Sequence, residues 1–296
     1  MAFFKWRKSE PAPAGETEAP TDDDAVEQPE DEQPEGALDD DEDAHDDDES
    51  DDHEDDGGVD EDVERSWRAR AAAVIVGGAS TGSKRPEALY GAGADFGPTH
   101  FARASGCRVT TAAGATLIDC TMALGAVAIG YGDRLVTQSV IEAAAAGSVA
   151  GLSPTLEVDV AERLCDVIPC AERVRFLKTG AEAVAAAVRI ARAATGRTHV
   201  IGSGYFGWLG WWGDAATPGV TAGERADYTH VPFDDVAALE RAAAAAGDHR
   251  LAAVVLEPVV ERLPSTEWIA AARALCDRTG AVLVFDEIKT GFRLAA

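Results

Sequence analysis

Asp286 and Glu287 close the apolar run Ala281 to Phe285 within AVLVFDEIKTGFR (281–293). Such a run is expected to be a buried strand that delivers a carboxylate to its carboxyl end, the edge of an open α/β sheet where ligands collect. A carboxylate there needs a cationic partner. Upstream, Val174 to Leu177 runs into Lys178-Thr179-Gly180-Ala181-Glu182-Ala183 and an Ala-rich stretch. A small-residue turn opening a helix presents free N–H groups and the positive end of the helix dipole to an anion such as phosphate. The same residues also suit an ordinary strand-to-helix turn capped by Thr179. Next comes Tyr205-Phe206-Gly207-Trp208-Leu209-Gly210-Trp211-Trp212, an aromatic loop punctuated by Gly204, Gly207 and Gly210 that suits stacking on a flat ring. A further carboxylate, Glu257, follows the apolar run Leu251 to Leu256.

Positioning these residues requires a regular scaffold. Helical patterns over 134–146, 155–167, 181–194, 234–246 and 266–279 alternate with short apolar runs at Val174–Leu177, His199–Gly202, Leu251–Leu256 and Ala281–Phe285. Alternation of this kind predicts an α/β fold, a mostly parallel sheet with helices on both faces. Earlier in the chain, VIVGGASTGSKRPEALYGAG (74–93) is expected to be irregular. Two short strands, GCRVTTA and ATLIDCT, should meet at the turn Ala113-Gly114. A phosphate cradle, an aromatic plate and a buried carboxylate on successive strand ends describe a phosphorylated, planar, cationic cofactor. Pyridoxal 5′-phosphate meets all three requirements.

Net charge is −27, but it is unevenly placed. Residues 1–64 hold 29 acidic against 3 basic side chains, which leaves 24 against 23 in 65–296, a balance of −1. Runs such as DDDEDAHDDDESDDHEDD (39–56) cannot offset ordering entropy by burial, so residues 1–66 are expected to be a disordered acidic tail. Within it His45 and His53 are expected to be solvated rather than metal ligands, and no metal site is expected. A near-neutral ordered part behind a phosphate-repelling tail argues against nucleic acid as partner. MAFFKWRK is too short to anchor in a membrane and lacks a signal-peptide core, and no later run approaches the ~20 apolar residues of a span. A cytoplasmic protein is expected. Five cysteines without a C-x-x-C pair fit reduced thiols.

SKRPE (83–87), GCRV (106–109), ALGAVAIGYGD (123–133), SPTLEVDVAERL (153–164), FLKTGAEAV (176–184), TGR (195–197), GYFGWLGWW (204–212), EPV (257–259) and FDEIKTGFR (285–293) occur in an order and spacing that resembles class III pyridoxal-phosphate aminotransferases. The branch most similar is the one related to glutamate-1-semialdehyde 2,1-aminomutase, over roughly residues 70–296. The resemblance implies a fold-type I architecture and usually a homodimer. It sets Asp286 against the pyridine nitrogen as the catalytic carboxylate, and Tyr205 on the cofactor ring. Phe206 replaces the histidine that usually follows. Gly180 and Ala181 match the phosphate-holding pair, commonly Gly-Thr, so that Thr179 stands as the substitute hydroxyl. Glu257 matches the acid of the EP motif, with a site-shaping role or that of a satisfied strand-end carboxylate. Glu287 is expected to be structural and Arg293 to tie down its loop.

By the same resemblance the Schiff-base lysine lies some tens of residues beyond TGFR. Outside the tail the sequence holds only Lys84, Lys178 and Lys289, none placed to serve. The expectation is therefore amino-group transfer between a small-molecule amino donor and an oxo acceptor, or an intramolecular aminomutase. The alternative is an inactive fragment or partner-binding remnant. Residues 67–150 are expected to contribute to a small domain and the site, and 151–296 to form part of a cofactor-binding large domain.

Overall fold

The computed structural model describes residues 59–213 and 217–293. Most of the acidic tail lies outside the described residues. Its last part does not: helix α1 spans Glu61–Val74, so residues 61–66, grouped with the tail on composition, are helical. Asp60 caps the helix by accepting from the N–H groups of Asp62 and Val63, and the first-turn acids suit the dipole. Two side chains dock α1 onto the chain beyond it. Buried Glu64 accepts the Ala113 N–H at 3.1 Å, and Arg68 donates to Gly97 O at 2.6 Å.

The 74–93 stretch is not wholly irregular, because Pro86 opens a short helix, α2, at Pro86–Tyr90. Strands β1 (Phe101–Ser105), β2 (Arg108–Thr111) and β3 (Thr116–Ile118) form an antiparallel sheet in that order. The β2–β3 turn lies where Ala113-Gly114 predicted it, with Gly114 at φ 95°. Strand β1 lies outside the two strands expected from the sequence.

Helices α3 (Arg134–Ala146), α4 (Thr155–Val167) and α5 (Gly180–Thr195) lead into a second sheet. Along the chain come β4 (His199–Ser203), α6 (Ala222–Arg225), β5 (Tyr228–His230), α7 (Val236–Ala246), β6 (Leu251–Leu256), α8 (Thr266–Thr279) and β7 (Val282–Phe285). Sheet order is β5-β4-β6-β7, parallel throughout. Alternate residues divide between two cores. Ile201, Val254 and Leu256 face α7 and α8, packing with Leu239, Trp268 and Leu275, while Val200, Val255 and Val284 face α5 through Val184, Ala187, Val188 and Ala191. That α5 stripe has the i, i+3, i+4, i+7 spacing of an amphipathic helix. Truncating Leu275, wholly buried in the first core, to alanine would cost about 2–5 kcal/mol.

The four-stranded parallel sheet was expected with one wrong member. Val174 to Leu177 is irregular, with Val174 and Phe176 half-buried and Arg175 and Leu177 exposed; no described strand pairs with it, and apolar content without a ladder partner makes no strand. The fourth member is β5. Its Tyr-Thr-His sequence sits at the sheet edge, where an aliphatic run is not required. No described helix is long and apolar enough to cross a membrane.

Candidate active site

Parallel pairing carries three strand ends to one edge. Ser203 is in register with Leu256, and Leu256 with Phe285, so Gly204, Glu257 and Asp286 follow side by side. The ladder continues one residue further, since Glu257 N–H donates to Ser203 O at 3.0 Å and Asp286 N–H to Leu256 O at 2.8 Å. Backbone bonds thus fix both carboxylates before their side chains make any contact.

Glu257 is 3% exposed. Its Oε1 accepts the Tyr205 N–H at 2.5 Å and its Oε2 the Lys289 ammonium at 2.8 Å. Gly204 permits this packing: its φ is 138°, and a Cβ there would stand 2.7 Å from Glu257 Cγ. Asp286 is 5% exposed and accepts the Ile288 N–H at 3.1 Å through Oδ1. Burial pushes its carboxyl above the usual range, the Ile288 N–H works against that shift, the Glu257 charge adds to it and the Lys289 charge offsets it. Its other oxygen takes no hydrogen bond from the described residues, so a cation brought to this edge meets an unsatisfied carboxylate.

The aromatic loop divides into two layers. Tyr205 is 62% and Trp208 80% exposed, whereas Phe206 is buried beneath them, stacked on Trp211 at 5.8 Å and 22°. Trp212 sits edge-on to both Tyr205, at 5.3 Å, and Phe206, at 5.8 Å. Phe206 therefore supports the loop from the α5-side core and presents no face at the sheet edge. Room for it comes from Gly202, where a Cβ would lie 2.8 Å from the Phe206 ring and 2.7 Å from the Tyr228 hydroxyl.

The start of α5 closes the third side. A Cβ on Gly180 would approach Ile288 Cδ1 to 2.8 Å, and one on Gly207 would come within 2.2 Å of Ala181 Cβ. Glycines thus seat the helix terminus against both the 286–290 turn and the aromatic loop. The Thr179 side chain forms a capping box: its Oγ1 accepts the Glu182 N–H at 3.2 Å, while the Glu182 carboxylate accepts the Thr179 N–H at 3.0 Å and its hydroxyl at 3.1 Å. The capping reading of Thr179 holds, and that hydroxyl is committed to the helix. First-turn N–H groups of a helix, here those of Gly180 and Ala181, have no intrahelical acceptor, and both residues lie against this edge, on Ile288 and Gly207.

Outer supports complete the arrangement. Glu287 anchors its turn by accepting the Thr290 hydroxyl and, through its carbonyl, the Gly291 N–H at 2.8 Å. Arg293 donates to Lys289 O at 2.7 Å and its guanidinium reaches Gly125 O. Gly125 ends a left-handed run, Met122 (φ 44°), Ala123 (53°), Leu124 (58°) and Gly125 (82°). Asp119 holds that run, accepting from Thr121 N (2.8 Å), Thr121 Oγ1 (2.7 Å), Met122 N (3.0 Å) and Tyr131 Oη (2.6 Å). These donors, the Tyr131 hydroxyl foremost, lower the Asp119 carboxyl to about 2. The Asp119 turn and the Glu257–Lys289 pair went unread in sequence; only the ALGAVAIGYGD motif pointed to the first. Lys178 is exposed, and Lys84 lines a different cavity with Arg65, Arg68 and His100.

A model of the family described as aminotransferase class-III matches residues 90–208 and 214–295. The glutamate-1-semialdehyde 2,1-aminomutase of Rhodopirellula baltica is 35% identical over 243 residues, which is 76% of this chain and 54% of that protein. The enzyme of the same name from Symbiobacterium thermophilum is also 35% identical, over 76% of this chain and 55% of its own length. The chain spans about half the length of these curated relatives. Among solved structures, the PLP internal aldimine form of the FumI protein from Sphingopyxis sp. MTA144 superposes with a TM-score of 0.71 at 29% identity, covering 79% of this chain and 57% of that one. A transaminase with PLP bound gives a TM-score of 0.65 at 28% identity, over 74% and 53%.

Proposed function

The chain belongs to the class III aminotransferase family, and from that premise we propose that its site serves pyridoxal-phosphate-dependent transfer of an amino group. The observation that carries the reading is Asp286: a carboxylate 5% exposed, pushed up by burial, with one oxygen unbonded among the described residues at the carboxyl edge of a parallel sheet. A protonated pyridine nitrogen is the partner such a group lacks. The cradle fits the rest of the molecule. First-turn N–H groups at Gly180 and Ala181 hold the phosphate, with Thr179 keeping the helix start rigid, and the exposed Tyr205 ring covers the pyridine face. Glu257 fixes the Tyr205 backbone, and Phe206 supports the loop from below. Bound pyridoxal phosphate supplies an electron sink for the substrate carbon that carries the amine. Asp286 serves it by keeping the ring nitrogen protonated.

Binding of pyridoxamine 5′-phosphate, which needs no lysine to be held, tests the cradle directly by equilibrium dialysis on the full chain. The chain should bind it, and Asp286→Ala should weaken binding about tenfold or more, the scale of one charged hydrogen bond. Absence of binding, or an Asp286→Ala variant that binds equally well, would overturn the reading.

The names of the curated relatives favour an intramolecular aminomutase, whereas the solved neighbours favour a transaminase acting between an amino donor and an oxo acceptor. Supplying the semialdehyde alone, or a donor with an oxo acid, separates the two. A homodimer belongs to the same proposal, supported by Leu135, Val140 and Ile141 of α3 and Leu156 of α4, which all face solvent in the single chain. Sedimentation would report it.

A further inference from the structure

We propose that Lys289 is a positioning residue for this site, acting through Glu257 on the backbone of Tyr205. Glu257 is 3% exposed and pressed against Gly204, so its carboxylate has no route to water except past its partners. A carboxylate desolvated to that degree is costly unless a cation or several donors stand beside it. Among the described residues its partners are two: the Lys289 ammonium on Oε2 and the Tyr205 N–H on Oε1.

The geometry makes Glu257 a strut. It stands at the end of β6, receives a cation from the turn after β7, and passes the constraint to the first residues after β4. Tyr205 is where that constraint matters, because the residue's ring faces out at the sheet edge while its backbone carries the loop that ends in Trp212. Lys289 is itself half in water, with its side chain 56% exposed, so it closes the strut from the solvent side. Its ammonium hydrogen-bonds Glu257 and acts on Asp286 only through its charge, so among the described residues one Asp286 oxygen stays open to an incoming cation.

Without Lys289 the buried Glu257 carboxylate has lost its cation and turns outward toward water, which releases the Tyr205 N–H. The inference rests on the proposed cofactor role only for its effect on ligand, since the strut itself is a property of the apo chain. Hydrogen exchange at the Tyr205 amide, with the β6 amides of Val254 and Val255 as internal reference, reads the strut. Dialysis against pyridoxamine 5′-phosphate reads its consequence. In the full chain, Lys289→Met should speed Tyr205 exchange about tenfold and weaken ligand binding by a similar factor, the scale of one charge-assisted hydrogen bond. Lys289→Arg should keep both near their starting values. Adding Glu257→Gln to Lys289→Met should restore protection, because a neutral amide oxygen accepts the Tyr205 N–H without needing a cation. Unchanged Tyr205 exchange in Lys289→Met, an equal loss in the double variant, or acceleration shared by Val254 and Val255 would overturn the proposal. A wild-type chain that shows the exchange pattern yet binds no pyridoxamine 5′-phosphate would support the strut and overturn the cofactor reading instead.

Discussion

A Cβ on Gly207 would stand 2.2 Å from the Cβ of Ala181, so the aromatic loop touches the first turn of α5 with no space for a methyl group. The same glycine has φ 90°, a conformation that side chains resist. Gly207→Ala should therefore destabilise the chain twice over, by about 1–3 kcal/mol for backbone strain and about 1–3 kcal/mol for overpacking. Urea titration would measure the sum. Loss of pyridoxamine 5′-phosphate binding in whatever fraction stays folded would show that the contact shapes the site as well as the fold.

Asp286 is placed where stability and binding oppose each other. Burial raises its carboxyl pKa in the folded chain, so between the unfolded value and the raised folded value the native state holds the extra proton. Over that window stability falls as pH rises. Asp286→Asn removes the dependence, and the asparagine variant should melt higher than wild type at neutral pH without ligand while binding pyridoxamine 5′-phosphate more weakly. Thermal scans from pH 4 to 8 on both proteins would check the sign. A variant that melts lower throughout would mean that the carboxylate is satisfied by contacts beyond the Ile288 N–H.

Much of this arrangement was legible in the sequence. Helices α3, α4, α5, α7 and α8 begin and end within about two residues of their sequence patterns, because caps such as Thr179 and Ser265 and the left-handed stops at Gly196 and Gly280 are local signals. Strands β4, β6 and β7 were legible as apolar runs buried on both faces. Val174 to Leu177 failed because apolar content says nothing about whether a neighbouring strand exists, and β5 was missed because an edge strand need not be aliphatic. The strand-end places of Asp286 and Glu257 were legible because a carboxylate after a buried strand has one place to be. The division of the aromatic loop, with Tyr205 outward and Phe206 inward, was not legible: positive φ at Gly204 and Gly207 breaks the period that would tell one face from the other. The Lys289–Glu257 pair depends on β6 and β7 being neighbours, which is a fact of topology.

Asp119 tests whether the left-handed turn is held from one point. Its carboxylate accepts from Thr121, Met122 and Tyr131 and is lowered to about 2 by those donors. A lowered carboxyl contributes stability above its unfolded value and loses it as pH falls toward the folded one. Asp119→Ala should lower the thermal midpoint at neutral pH and narrow its gap to wild type between about pH 4 and pH 2. It should also loosen the Gly125 carbonyl from Arg293, seen as faster exchange at residues 121–125. Equal exchange there in the two proteins would show that the turn is held without Asp119, by its backbone bonds and Arg293.

Arg197 ends the TGR motif, and its part lies in the scaffold, away from the ligand edge. The residue follows Gly196, which stops α5 in the left-handed conformation at φ 68°, and its guanidinium then reaches across to two other elements. Nη1 donates to Leu251 O at 3.1 Å and to Thr279 O at 2.5 Å. One planar cation thereby ties the beginning of β6 to the end of α8, at the amino edge of the sheet. A carbonyl that loses a charged donor in a half-buried place is worth about 1.5–3 kcal/mol, so Arg197→Ala should cost roughly 2–4 kcal/mol for the two together, allowing for incomplete additivity. Lysine carries the charge without the planar, pre-organised guanidinium, and Arg197→Lys should recover only part of the loss. Because β6 also carries Glu257 at its other end, the discriminating measurement is ligand affinity at a temperature where both variants are folded. If Arg197 acts only on the scaffold, pyridoxamine 5′-phosphate should bind the folded alanine variant as it binds wild type while the urea midpoint drops. A loss of affinity matching the loss of stability would mean that strain at the start of β6 is transmitted to the strand ends.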